Sequence, residues 1–280
     1  GTQRQLKEML SLIWNHALNK SMLGSTPPIN PISTIKIERP TTSKFTKYDT
    51  EEFTKSEQAG IYHACIKMRN EFRFQTQVIL LMMFCGRRRE TLLKLQWQWV
   101  EWNEETHIIE GKKVTTYGKV VIPKHINKTK KPDKFMITEM IRNVLLDLKK
   151  QRQEMGWAMF SDWMFPSTRI VNKHLLTSDN RANKEEDRIK DVIGLWQLIK
   201  LEVGFKGPAA MKMFRNTYEN TVNRNRNAAS TWDVISVTGR ADTGSSEKAY
   251  LNKSFTPSVT TLSTSVDEEF SNIIRFKKAN

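Results

Sequence analysis

The spacing of apolar residues changes period in one stretch of this chain, and that change restricts the fold more than any other feature. Residues 107–137 break into three short runs, His107–Glu110, Lys119–Ile122 and Lys134–Thr138, separated by Gly111, Gly118 and the turn Lys128–Asp133. Short apolar runs bounded by glycine and a charged turn predict a small antiparallel sheet. On both sides of it apolar residues recur at helical spacing. The expected class is therefore mainly α with a small antiparallel β-sheet (α+β), with no internal repeat.

Upstream, Gln3–Leu23 reads as an amphipathic helix carrying Leu6, Met9, Leu10, Ile13, Trp14 and Leu18, and Gly24, Pro27, Pro28 and Pro31 end it. A basic linker to Pro40 follows, which places a boundary near residue 40 and leaves an N-terminal piece too small to be a domain by itself. Two helices come next, Asp49–Met68 and Phe72–Cys85, the second apolar enough to be central. Gly86 interrupts the pattern and a helix resumes over Arg88–Leu95. Beyond the sheet, helices are expected at Glu139–Met155, Lys184–Val203 and Pro208–Val222. Ser230 should cap a helix ending near Val237, with Gly239 as its stop. A short helix would then carry Tyr250, and a Ser/Thr-rich stretch would lead to a terminal helix, Val266–Phe276.

A formal charge of +15 favours a polyanionic partner, because each phosphate neutralised by Lys or Arg releases condensed counterions. No apolar run reaches the roughly 18 residues of a membrane span, and the polar Gln3–Lys7 stretch does not resemble a secretory signal. Cys65 and Cys85, the two cysteines, sit in apolar helical contexts and suit a reducing compartment. The five histidines are scattered without metal-ligand spacing, so no metal site is expected.

Three basic clusters remain. Gly86-Arg87-Arg88-Arg89 falls where a buried helix ends and another begins, so a helix N-terminus and guanidinium forks could meet a phosphate there; a solvated basic turn explains the run equally well. Lys212 and Arg215 share one helix face. Asn127-Lys128-Thr129-Lys130-Lys131-Pro132 forms a basic turn between strands. Each is weak alone.

In this order, and followed by Thr238-Gly239-Arg240 and Ala249-Tyr250-Leu251, the clusters resemble the tyrosine recombinase (phage integrase) family. Gly86, Arg88, Leu95 and Trp97 fall in register with the family's G-x-R-x-x-E-x-x-x-L-x-W pattern, although Thr91 takes the acidic position and Glu90 lies one earlier. Asn127-Lys128-Thr129-Lys130 resembles the family's lysine hairpin, with Lys128 preferred and Lys130 second. Lys212-Met213-Phe214-Arg215 matches H-x-x-R with lysine for the histidine, and Arg240 stands where the family has imidazole or indole. Trp163-Met164-Phe165-Pro166-Ser167 resembles a V-F-P-S strand. The resemblance divides the chain into residues 1–40, the last helix and linker of a core-binding domain; 41–255, the catalytic domain; and 256–280, a tail whose helix could dock in cis or on a neighbouring protomer.

The resemblance implies a site-specific recombinase that cleaves and rejoins double-stranded DNA through a 3′-phosphotyrosine, without metal or small-molecule cofactor. It further implies a homo-oligomer (a tetramer on DNA) and a cytoplasmic setting in a bacterial host. Tyr250 would be the nucleophile, Arg88 and Arg215 would hold the phosphate, Lys128 would protonate the leaving oxygen, and Lys212 and Arg240 would add hydrogen bonds. A proton-accepting Lys212 would have to be desolvated beside the arginines. Arg87, Arg89, Lys130 and Lys131 would contact DNA. Among the competing tyrosines, Tyr218 shares the Arg215 helix and suits core packing. The departures at Lys212 and Arg240 leave open a DNA-binding protein with impaired catalysis, and the shared chemistry leaves open a type IB nicking-closing topoisomerase.

Overall fold

The computed structural model describes residues 2–20, 30, 32, 52–109, 111–127, 132–169, 176–177, 180–205, 209–226, 229–239 and 257–276. The chain divides into two compact units, residues 1–46 and 47–280. The first contains helix α1 (Thr2–Asn19), to which Asn30 is tied by a hydrogen bond from its Nδ2 to Ser11 Oγ, 3.1 Å.

The second unit is mainly helical, as the periodicity predicts. Helix α2 (Lys55–Met68) starts at a reciprocal cap: Thr54 Oγ1 accepts the Glu57 N–H while the Glu57 carboxylate accepts the Thr54 N–H. Helix α3 (Arg73–Cys85) is buried at every position from Thr76 to Cys85, the pattern of a helix covered on all sides. A single helical turn, α4 (Arg89–Leu92), replaces the longer helix expected over Arg88–Leu95.

The sheet has three antiparallel strands in the order β1 (Val100–Ile109), β2 (Lys112–Ile122) and β3 (Asp133–Met136), with Val100 opposite Val120 and Lys119 opposite Met136. Strands β1 and β2 are longer than the apolar runs suggest. Residues 101–106 are all exposed on an edge strand, so they carry no apolar alternation to be read. Helix α5 (Glu139–Glu154) follows. The Trp163–Phe165 stretch is buried and bridges Gln96 on one side and, through Pro166, Arg188 on the other.

Helix α6 (Ile193–Val203) begins later than expected because residues 185–187 form a 3-10 turn and Arg188 is extended. Helix α7 (Lys212–Arg224) and helix α8 (Thr231–Thr238) follow; α8 has the expected Ser230 cap and Gly239 stop. Helix α9 (Pro257–Phe276) starts ahead of the expected Val266. Its early Ser/Thr residues suit a helix because their hydroxyls bond backward, Thr261 to Pro257 O and Thr264 to Thr260 O, both 2.9 Å.

Helix α9 packs on its own chain, against α2, α7 and α8. Val259, Leu262, Val266, Phe270 and Ile274 face the core, and the Phe270 ring stacks parallel to Tyr218 at 6.4 Å. The Asp267 carboxylate reaches the start of α5, accepting from Thr138 Oγ1 (2.6 Å) and the Met140 N–H (3.1 Å).

Candidate active site

The centre of the site is set by a glycine. Gly86 ends α3 in the left-handed conformation, φ 62°, with its N–H on Met82 O at 3.1 Å. A β-carbon there would lie 2.4 Å from Cδ1 of Tyr218, so the end of α3 rests directly on a ring of α7. Tyr218 is three residues beyond Arg215 on the same helix. The contact therefore brings the chain leaving Gly86, and with it Arg88, up to Arg215.

These two arginines form the candidate anion site. Arg88 is exposed, on extended backbone ahead of α4, and among the described residues its guanidinium has no hydrogen bond or ion pair. Partial burial first, and then the charge of Arg215, hold the Arg88 pKa below its ordinary value, against the opposing pull of Glu219. Arg215 is itself held by Glu219: its Nε donates to Glu219 Oε1 at 2.8 Å, and the Glu219 side chain is 7% exposed. With Nε on Glu219, the terminal nitrogens of Arg215 remain as further donors. The two cations oppose each other, with Glu219 bonded to Arg215, and a bound phosphate would relieve the repulsion between them. Helix α4 is one turn long, too short to offer the N-terminal phosphate site expected of the longer helix.

The remaining basic residues are placed differently from one another. Arg87, expected to contact DNA, lies inside the fold at 3% exposure. Its Nη1 donates to Val237 O (2.8 Å) and Cys85 O (3.2 Å), and its Nη2 donates to Lys134 O (2.7 Å) and Asp133 Oδ1 (3.2 Å). Its Nε lies 2.8 Å from Asp133 Oδ2, an ion-pair contact off the hydrogen-bond axis. A guanidinium so committed is unavailable to a DNA phosphate. Alternation along extended backbone explains the difference: Arg87 points inward and Arg88 outward.

Arg89 is half-buried beside Met211 and Glu90. Lys212 is exposed at the first residue of α7, not buried beside the arginines. Tyr218 is buried, and burial pushes its hydroxyl well above the usual tyrosine range, which fits a core residue rather than a nucleophile. Lys128, Lys130, Lys131, Arg240 and Tyr250 lie outside the described residues. In sequence, the three lysines fall between β2 and β3, and the other two follow Gly239.

Two residues of the site were not singled out in the sequence. Glu219 could have been found, because it stands four residues after Arg215 on a helix, the spacing at which opposite charges meet. Asp133 could not, because its partner Arg87 lies on a distant segment. Among the described residues no group of three or more His, Cys, Asp or Glu could hold a metal ion.

No family model and no curated protein matches the chain. Solved structures do. The chain is similar to two DNA-bound recombination proteins. A lambda integrase dimer bound to a COC′ core site aligns with a TM-score of 0.47 at 12% identity, over 85% of this chain and 71% of that one. The XerH site-specific recombinase bound to palindromic difH substrate, in a post-cleavage complex, aligns with a TM-score of 0.44 at 13% identity, over 85% and 54% respectively.

Proposed function

We propose that the chain is a tyrosine-type, site-specific DNA recombinase. The observation that carries this reading is the contact of Gly86 with Tyr218, which joins the segment of Arg88 to the helix of Arg215, where the two guanidinium charges oppose one another. Those two arginines are the pair that the sequence motifs assign to phosphate binding, and two distant segments meet to form it. In sequence the lysine turn lies between the two arginines, after β2, and Tyr250 lies beyond Arg215, after Gly239. Both similar structures are bound to DNA, and the chain's charge of +15 suits such a partner.

In this reading the Tyr250 oxygen gives up its phenolic proton to water and attacks a backbone phosphorus, breaking the bond to the 5′-oxygen and giving a 3′-phosphotyrosine and a free 5′-hydroxyl. Lys128 donates the proton that the leaving 5′-oxygen takes up. Arg88 and Arg215 stabilise the negative charge that grows on the non-bridging oxygens. Glu219 keeps Arg215 in place. Attack by a 5′-hydroxyl from another strand reverses the step, so the bond energy is conserved and no nucleotide is consumed. Strand exchange between two duplexes would need several copies of the chain, and a tetramer on DNA is the assembly proposed.

A second reading is favoured by the exposure of Lys212, which stands at the position of the family's histidine: a DNA-binding protein of the same fold with weakened catalysis. A nicked suicide duplex separates the two. Under the recombinase reading the native chain becomes covalently attached to it and the Tyr250→Phe variant does not. Tight, salt-sensitive binding without attachment would support the binding protein. Relaxation of supercoiled plasmid without strand exchange would instead indicate a type IB topoisomerase.

A further inference from the structure

We propose that the buried Arg87–Asp133 pair is a positioning device for the reaction, holding the base of the β2–β3 hairpin and the end of α8 in fixed relation to Arg88. The proposal rests on the recombinase reading. Arg87 joins three segments that are remote in sequence: the end of α3 through Cys85 O, the end of α8 through Val237 O, and β3 through Lys134 O and the Asp133 carboxylate. The guanidinium also lies over the Phe135 ring, 5.6 Å from its centroid.

Gly239 closes the arrangement. It ends α8 with φ 64°, and a β-carbon there would lie 2.6 Å from Arg87 Cζ and 2.8 Å from Asp133 Oδ2. Gly239 therefore lies directly against the ion pair. Arg88, the next residue after Arg87, is thereby fixed to the same point.

Stability alone does not require such an arrangement. Apolar residues of similar volume generally serve a buried site at least as well as an ion pair. What a fork-shaped cation adds is direction, since it bonds several backbone carbonyls and a carboxylate at set angles. The segments it aligns are the ones that, in sequence, lead to Lys128 and to Tyr250. Displacing reacting groups by about 1 Å can cost roughly 100-fold in rate, so a rigid common anchor has a use in this chemistry that a greasy contact would not provide.

The test is the double variant Arg87→Met with Asp133→Leu, together with the nearly isosteric single variant Asp133→Asn. For each, thermal melting, affinity for a nicked duplex and the single-turnover rate of covalent attachment at saturating DNA are measured beside the native chain. The expected result is cooperative melting and near-native affinity, with attachment slowed roughly 10-fold to 100-fold. Attachment at the native rate in a folded variant would overturn the proposal, as would loss of binding in parallel with loss of attachment, since either marks a purely structural pair. If the double variant does not fold, Asp133→Asn is judged by the same two criteria. A native chain that forms no covalent complex would defeat the recombinase reading itself, and the positioning role with it.

Discussion

At the scale of single residues, the two outward arginines and the inward one should behave differently when replaced. Arg88→Ala and Arg215→Ala should each slow covalent attachment by roughly 100-fold to 1,000-fold, the usual effect of losing one donor to a developing oxyanion. Melting should change little for Arg88→Ala, whose guanidinium has no protein partner among the described residues. Arg87→Ala should instead lower stability by about 3–5 kcal/mol, because it strands the buried Asp133 carboxylate. Chemical denaturation of the three variants checks this contrast, and equal destabilisation by Arg88→Ala would contradict it. The sequence alone could show three consecutive arginines and pick Arg88 by register. It could not show that Arg87 turns inward, because that depends on Asp133 and Val237 arriving from other segments. Tyr218 was legible as a core residue from its place on the apolar face of α7.

At the scale of elements, sequence patterns served best where the local chemistry is strong. The Ser230 cap, the Gly239 stop and the all-round apolar α3 are each decided within a few residues. Patterns served least well at β1, an exposed edge, and at the start of α9, where buried hydroxyls look like linker composition. The docking of α9 also carries a pH dependence. Burial, opposed by the hydrogen bonds from Thr138 and Met140, raises the Asp267 pKa from 3.8 to about 6. Between those values the folded chain holds a proton that the unfolded chain has released, so this group's contribution to stability falls as pH rises through about 6. The loss amounts to at most about 3 kcal/mol. Denaturation of the native chain and of Asp267→Asn at pH 4.5 and 7 should show the difference between them shrinking at the lower pH. A constant difference would contradict the assignment. Phe270→Ala, which removes a ring stacked on Tyr218, should cost about 3–5 kcal/mol at either pH.

At the scale of the whole molecule, the proposed recombinase function and a net charge of +15 together predict a DNA affinity that depends strongly on salt. The logarithm of the binding constant should fall linearly with the logarithm of salt concentration, with a slope of about −0.9 for each phosphate neutralised. Replacing Arg88 should make that slope shallower by about one, whereas Asp133→Asn should leave it unchanged. Under the proposed recombinase function one tyrosine becomes bonded to a DNA 3′-phosphate. The most direct test is to trap the chain on a nicked duplex, digest the complex and identify the modified peptide by mass spectrometry. A nucleotide adduct on Tyr250 alone is the expected result. An adduct on Tyr62, Tyr117 or Tyr218, or no adduct from a chain that binds the duplex tightly, would contradict it.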